Sequence, residues 1–170
     1  MNLKLYRSAR PGSVALPGLA AAAALGVLGG ALWMQHQGYA PCPLCILQRV
    51  AYLGVLGFAL IAMGLIRRGG AVGSNLVLSL GALSALAGLG VAGRHVWLVL
   101  HPGQTCGLDP LATVINHWRI TQWFPWMFRA DGFCADTPKL FGLALPVWSA
   151  LGFALLATLL FAALRPRARR

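Results

Sequence analysis

Polar and apolar positions along this chain fall into blocks. Four apolar runs, about 14–33, 46–66, 75–97 and 143–164, are separated by polar stretches that carry most of the charged residues. Each run approaches the roughly 20 helical residues needed to cross a hydrocarbon core. Within them, up to Gly93 of the third, Arg49 is the only charged residue. The second run contains Gly54, Gly57 and Gly64 with Ala51, Ala59 and Ala62, small residues that let helix backbones approach closely in lipid. Short connections make neighbouring helices antiparallel. The pattern therefore predicts an all-α integral membrane protein, a four-helix bundle forming a single membrane domain over residues 1–170. Its outer connections are about 34–45 and 101–142, the latter long enough to hold a short interfacial helix.

Composition strengthens this reading. Mean hydropathy is +0.71, 58% of residues are hydrophobic and only 10% are charged, which is too apolar for an ordinary soluble domain. The net charge of +11 would suit a nucleic-acid binder, but its distribution favours topology instead. Lys4, Arg7 and Arg10, then Arg67 and Arg68, then Arg165, Arg167, Arg169 and Arg170 fall on one side if all four runs span. Basic connections stay in the cytoplasm. Both termini are accordingly expected inside, all four cysteines outside, and no nucleic-acid partner is expected. The first apolar run exceeds the 7–15 residues of a signal-peptide core, so an uncleaved span is expected there.

The long connection is rich in aromatic residues. Trp118, Trp123, Phe124, Trp126, Met127, Phe128 and Phe133, with Arg119 and Arg129 among them, suit a segment lying at headgroup depth. Leu111–Trp118 fits a short amphipathic helix, and Pro125 should stop any helix running through it. His36 is expected at the wet interface, Arg94 as a headgroup anchor and Trp148 as an interface or packing residue.

Candidate chemistry centres on Cys42-Pro43-Leu44-Cys45, where the first outer connection meets the second run. Two thiols at this spacing can close on each other, and Cys45 falls near a helix start, where unpaired amides and the helix dipole favour a thiolate. Arg49 follows one turn later on the same face. A bridge across two intervening residues constrains little unfolded chain, so redox chemistry explains this pair better than a structural disulfide. Cys106 and Cys134 are compatible with a bridge that orders the long loop. Metal binding is disfavoured because the second pair lacks the short knuckle spacing of a zinc site. Covalent haem attachment fails at position 46, which is Ile where the motif needs His. Cys45 lies where the bilayer interior begins, and Cys106 and Cys134 lie in a loop that a water-soluble protein can reach. Thiol–disulfide exchange can pass a disulfide between such pairs without a metal. A non-enzymatic scaffold with two structural disulfides is the alternative of a different class.

These features together resemble the DsbB disulfide bond formation proteins of bacterial inner membranes. The resemblance rests on four spans, Cys-x-x-Cys followed by x-x-x-Arg, a second outer loop with two cysteines, and Gly-Leu-x-x-Pro-x-Trp at Gly142–Trp148. It implies a periplasmic location for all four cysteines and a quinone-reducing thiol oxidase. In such a protein a reduced DsbA-like partner, or a dedicated equivalent, attacks at Cys106. Cys134 then passes electrons to Cys42, and Cys45 donates to ubiquinone or menaquinone held by Arg49, with His95 a candidate second contact. It further implies Cys42–Cys45 and Cys106–Cys134 pairs at rest, with a Cys42–Cys134 bridge as intermediate. Position 48 is Gln where some members have Glu, and position 94 is Arg where an acidic residue can occur. Both changes are expected to add positive character near the quinone end.

Overall fold

A computed structural model describes residues 14–101, 110–134 and 137–164. Cys106 lies outside the described residues, as do the basic clusters at Lys4, Arg7 and Arg10 and at Arg165, Arg167, Arg169 and Arg170.

Four long helices dominate: α1 (Ala15–His36), α2 (Pro43–Arg67), α3 (Ala71–Leu100) and α7 (Leu145–Leu164). All four are long and apolar enough to cross a membrane. Among the described residues, three short helices lie between α3 and α7: α4 (Pro110–Asn116), α5 (Arg119–Trp123) and α6 (Pro125–Phe128). The long helices pack in the ring α1, α2, α3, α7 and back to α1, with α2 against α3 and α3 against α7 the most extensive contacts. The fold is an all-α four-helix membrane bundle.

Helix α1 runs past its apolar run at the C-terminal end, and α2 and α3 at both ends, because residues there need no hydrocarbon cover. α3 continues to Leu100 and so carries Arg94 and His95. α7 starts at Leu145, two residues later than the apolar run, because residues 139–144 do something else. Lys139–Leu140 (β1) pairs antiparallel with Leu143–Ala144 (β2) around the two-residue turn Phe141-Gly142. Both turn residues have positive φ, 52° and 81°, as a type I′ hairpin requires. Trp148 closes this hairpin, donating from Nε1 to Leu140 O at 3.0 Å and meeting the Phe141 ring edge-on.

The bundle interior is built from small residues and a few large ones. Ala20, Ala24, Ala59, Ala62, Ala82, Ala85 and Ala92 are buried along the helix contacts. Phe153 of α7 fills the notch at Gly88 of α3, and its ring stacks on Tyr52 of α2 at 4.0 Å. Gly54 likewise leaves room for Ser84, whose hydroxyl donates to Ala51 O at 3.0 Å. Close approach through small residues and interhelical hydrogen bonds is how helices associate where lipid removes the hydrophobic drive. Leu19, Leu60, Ile61, Leu83 and Leu155 face outward, an apolar surface suited to lipid.

Candidate functional site

The end of α1, the start of α2, the end of α3 and the start of α7 meet at one end of the bundle, opposite Arg67 and Arg68. The start of α2 is set by local chemistry. Cys42 is its N-cap in an extended conformation (φ −82°, ψ 166°), and Pro43 occupies the first turn, where its missing N–H costs nothing. The amide of Cys45 donates to Cys42 Sγ at 3.4 Å, and the Cys42 thiol donates to Cys45 Sγ at 3.1 Å. Neither cysteine is in a disulfide in this structure. Hydrogen bonding with Cys134, then with Cys45, and then burial push the Cys42 thiol well above the ordinary range. Cys42 is therefore the member of the pair that keeps its proton and shares it.

His95 is wholly buried, at 0% exposure, and is not a hydrated boundary residue. Its Nδ1 is 3.2 Å from Gln48 Nε2, and its Nε2 is 3.1 Å from the carbonyl of Cys134 and 3.7 Å from Cys42 Sγ. The amide of Gln48 can only donate from Nε2, so Nδ1 accepts and Nε2 carries the proton toward Cys134 O. One imidazole thus touches the Cys-x-x-Cys pair and the loop cysteine at once. The donor atoms of Cys42, Cys45 and His95 lie within 4.8 Å of one another, a metal-capable grouping that spacing along the chain did not reveal.

Arg49 is 6% exposed, and its hydrogen bonds hold three elements together. Nη1 donates to Gln35 Oε1 at 2.6 Å and to Met127 O at 2.9 Å, and Nη2 donates to Ala31 O at 3.3 Å. All three acceptors are neutral, and among the described residues no carboxylate pairs with its charge. An anion formed nearby in this poorly solvated site would be strongly stabilised.

A cavity of about 400 Å³ brings these groups to a common wall. Cys42, Cys45, Gln48, Arg49 and His95 line one side, and Val27, Leu28, Trp33, Met34, Leu145 and Pro146 supply apolar walls from α1 and α7. Its size lies within the roughly 300–1,000 Å³ of small-molecule sites, and an apolar wall with a few convergent polar groups is their usual character. Arg94 is outside this cavity. Its guanidinium lies 4.9 Å from the centre of the Trp97 ring, so any positive character at position 94 is spent away from the cysteines.

The second loop is docked on the same end. Cys134 packs with Cys42, Leu44 and Leu98, while Ile115 and Phe128 pack on Ile46 of α2. Trp123, Trp126 and Phe133 face outward. The expected helix at 111–118 is realised as α4 with a break at Trp118, and Pro125 opens α6. Sequence reasoning overlooked Gln35, Tyr52 and Asn116. Gln35 joins Arg49 to Trp126 O, Tyr52 donates to Ser149 O at 3.1 Å, and Asn116 grips Ala130. Only Tyr52 had a local signal, a phenol one turn past Gln48 on the cysteine face of α2.

Comparison with known proteins agrees with this arrangement. A family model described as "Disulfide bond formation protein DsbB" matches residues 14–163. "Disulfide bond formation protein B" of Ralstonia nicotianae is 41% identical over 157 residues, covering 89% of this chain and 94% of that protein. "Disulfide bond formation protein B 1" of Pseudomonas savastanoi pv. phaseolicola is 44% identical over 138 residues, 79% of each. "Disulfide bond formation protein B 1" of Burkholderia lata is 37% identical over 142 residues, 82% of each. With its four apolar helices and paired cysteines, the chain belongs to the DsbB family, multi-pass bacterial membrane proteins of disulfide bond formation.

Proposed function

We propose that this protein reoxidises a periplasmic DsbA-like dithiol oxidase and passes the electrons through its two cysteine pairs to membrane quinone. The observation that carries the reading is the packing of Cys134 on Cys42, which with Cys45 lines an apolar cavity that also holds Arg49. The cysteine end then faces the periplasm and the Arg67-Arg68 end the cytoplasm, as basic connections require. A relay of DsbA, DsbB and quinone is the general means by which bacteria keep the periplasm oxidising, and family membership brings this chain within its scope.

The partner thiolate attacks the Cys106–Cys134 disulfide, bonding to Cys106 and releasing Cys134 as thiolate. Cys134 attacks Cys42 Sγ, the Cys42–Cys45 bond breaks, and Cys45 leaves with the electron pair. Attack by the second partner thiol then frees Cys106, which re-forms its bond to Cys134 and leaves Cys42 and Cys45 reduced. His95, donating to the Cys134 carbonyl, holds the incoming cysteine beside Cys42. Release at Cys45 is favoured by the first-turn amides of α2 and by the positive charge of Arg49 one turn away.

The residues present fit a quinone: a small-molecule-sized apolar cavity, an Arg with no carboxylate paired to it among the described residues, and a cysteine opening into the same space. Arg49 and His95 would hold its polar head, and Val27, Leu28 and Met34 its apolar parts. Ubiquinone or menaquinone, when bound, supplies a lipid-soluble acceptor for two electrons. Replacing Cys45 by Ser tests the reading. It should abolish quinone-dependent oxidation of a reduced DsbA-like protein while leaving the partner able to form a mixed disulfide at Cys106. Undiminished oxidation would overturn the route through Cys45, and a parent protein that oxidises no partner would leave the scaffold reading, with two structural disulfides, in its place.

A further inference from the structure

Exchange between Cys134 and Cys42 requires one loop segment to be presented accurately to the end of the bundle. The backbone of residues 130–134 is held there from three directions. From α4, Asn116 makes a two-point grip on Ala130: its Nδ2 donates to Ala130 O at 3.0 Å, and Ala130 N donates to its Oδ1 at 2.9 Å. From the connection before α2, Pro41 O accepts the amides of Asp131 at 3.1 Å and Gly132 at 3.0 Å. From α3, His95 holds Cys134 O. There is no room for a side chain at position 132, where a Cβ would collide with the carbonyl of Ala40.

Every one of these contacts reads main chain, so they fix the path and register of the segment independently of its side chains. Asn116 stands apart from the cysteines, yet it uses both ends of its amide on a single residue four positions before Cys134. An amide that both donates and accepts imitates a strand partner, and Asp or Ala at that position cannot reproduce it.

We infer that Asn116 is a positioning residue for the Cys134-to-Cys42 exchange. By gripping Ala130 it sets residues 131 and 132 on Pro41, and this placement brings Cys134 against Cys42. The inference rests on the relay proposed above. The step it serves is balanced within the chain: the Cys134 thiolate bonds to Cys42 Sγ, the Cys42–Cys45 bond breaks, and Cys45 keeps the electron pair. Alignment of attacking and attacked sulfur governs such a step, and small misplacements cost large factors in rate and in population.

The test uses the full chain in detergent carrying Cys106→Ser, which leaves Cys134 as a lone thiol while Cys42 and Cys45 are oxidised. The ratio of Cys42–Cys134 to Cys42–Cys45 bridges is read by non-reducing peptide mapping after acid quench. Adding Asn116→Ala should lower that ratio about tenfold, the effect of losing two ordinary hydrogen bonds in part replaced by water. Asn116→Asp, which keeps only the acceptor half, should fall between. Gly132→Ala, acting on the same segment from the other side, should reproduce the loss. In each variant, oxidation of the reduced Cys42–Cys45 pair by added ubiquinone should stay within about twofold of the parent. An unchanged bridge ratio in Asn116→Ala overturns the inference. An equal fall in both readouts also overturns it, because the residue is then merely structural. If the Asn116 parent itself forms no Cys42–Cys134 bridge, the relay reading fails and the inference falls with it.

Discussion

Replacing Arg49 by Met removes a charge while keeping most of the side chain's apolar bulk. Among the described residues the guanidinium donates only to neutral oxygens, those of Gln35, Met127 and Ala31, so its charge is available to whatever anion forms in the cavity. Residues one turn apart on a helix stand about 5–6 Å from one another, which sets the scale for Arg49 and a charge developing at Cys45. Opposite unit charges about 6 Å apart in an effective dielectric of about 20 attract by about 3 kcal/mol. A barrier higher by that amount slows a step about a hundredfold. The assay is stopped-flow oxidation of the pre-reduced Cys42–Cys45 pair by saturating ubiquinone, followed by quinone absorbance, with mixed-disulfide formation at Cys106 measured separately. Arg49→Met should be about a hundredfold slower in the first and unchanged in the second. Arg49→Lys keeps the charge but loses the fork that spans α1 and α6, so its rate should lie between. A Met variant within about threefold of the parent would refute the electrostatic role. An equal loss in partner exchange would assign Arg49 to holding the loop instead.

Two further outcomes follow from the geometry. The Cys42 thiol is pushed up by its hydrogen bonds to Cys134 and Cys45 and by burial, and it is only 2% exposed, so its proton is held and reagents reach it slowly. Iodoacetamide labelling of the reduced protein, mapped by mass spectrometry between about pH 6 and pH 10, should find Cys42 the slower of the pair throughout. Equal labelling of Cys42 and Cys45 at pH 7 would contradict this. In the bundle, Gly88→Val forces the Phe153 ring out of its notch and should lower detergent stability by about 3 kcal/mol, comparable to emptying a buried aromatic site. Gly57→Ala, which meets open space, should change stability by less than about 1 kcal/mol in the same melts.

What could be read along the chain was whatever physics makes local. The spans were visible because lipid dictates a length and forbids charge, and Cys45 at a helix start was visible because Pro43 and a capping Cys42 act over four residues. The place of Arg49 one turn from Cys45 was visible but its bonding was not, since Ala31, Gln35 and Met127 reach it from 14 to 78 residues away. His95 could be read only as a candidate quinone contact for the same reason: its partners Gln48 and Cys134 are 47 and 39 residues distant. The hairpin before α7 was hidden by its turn, because Phe141 adopts a positive φ that the side chain gives no cause to expect. The grip of Asn116 on Ala130 has no sequence signature. A single amide facing a backbone turn is specified by tertiary docking alone.

The most direct test of the central claim is a coupled stoichiometry. The purified protein in detergent is given a reduced DsbA-like partner and ubiquinone, and partner thiols and quinone absorbance are followed in the same sample. Two thiols lost for each quinone reduced, with neither signal changing when the protein is omitted, is the predicted result. Partner thiols that persist with both ubiquinone and menaquinone, or that disappear without any loss of quinone, would contradict it.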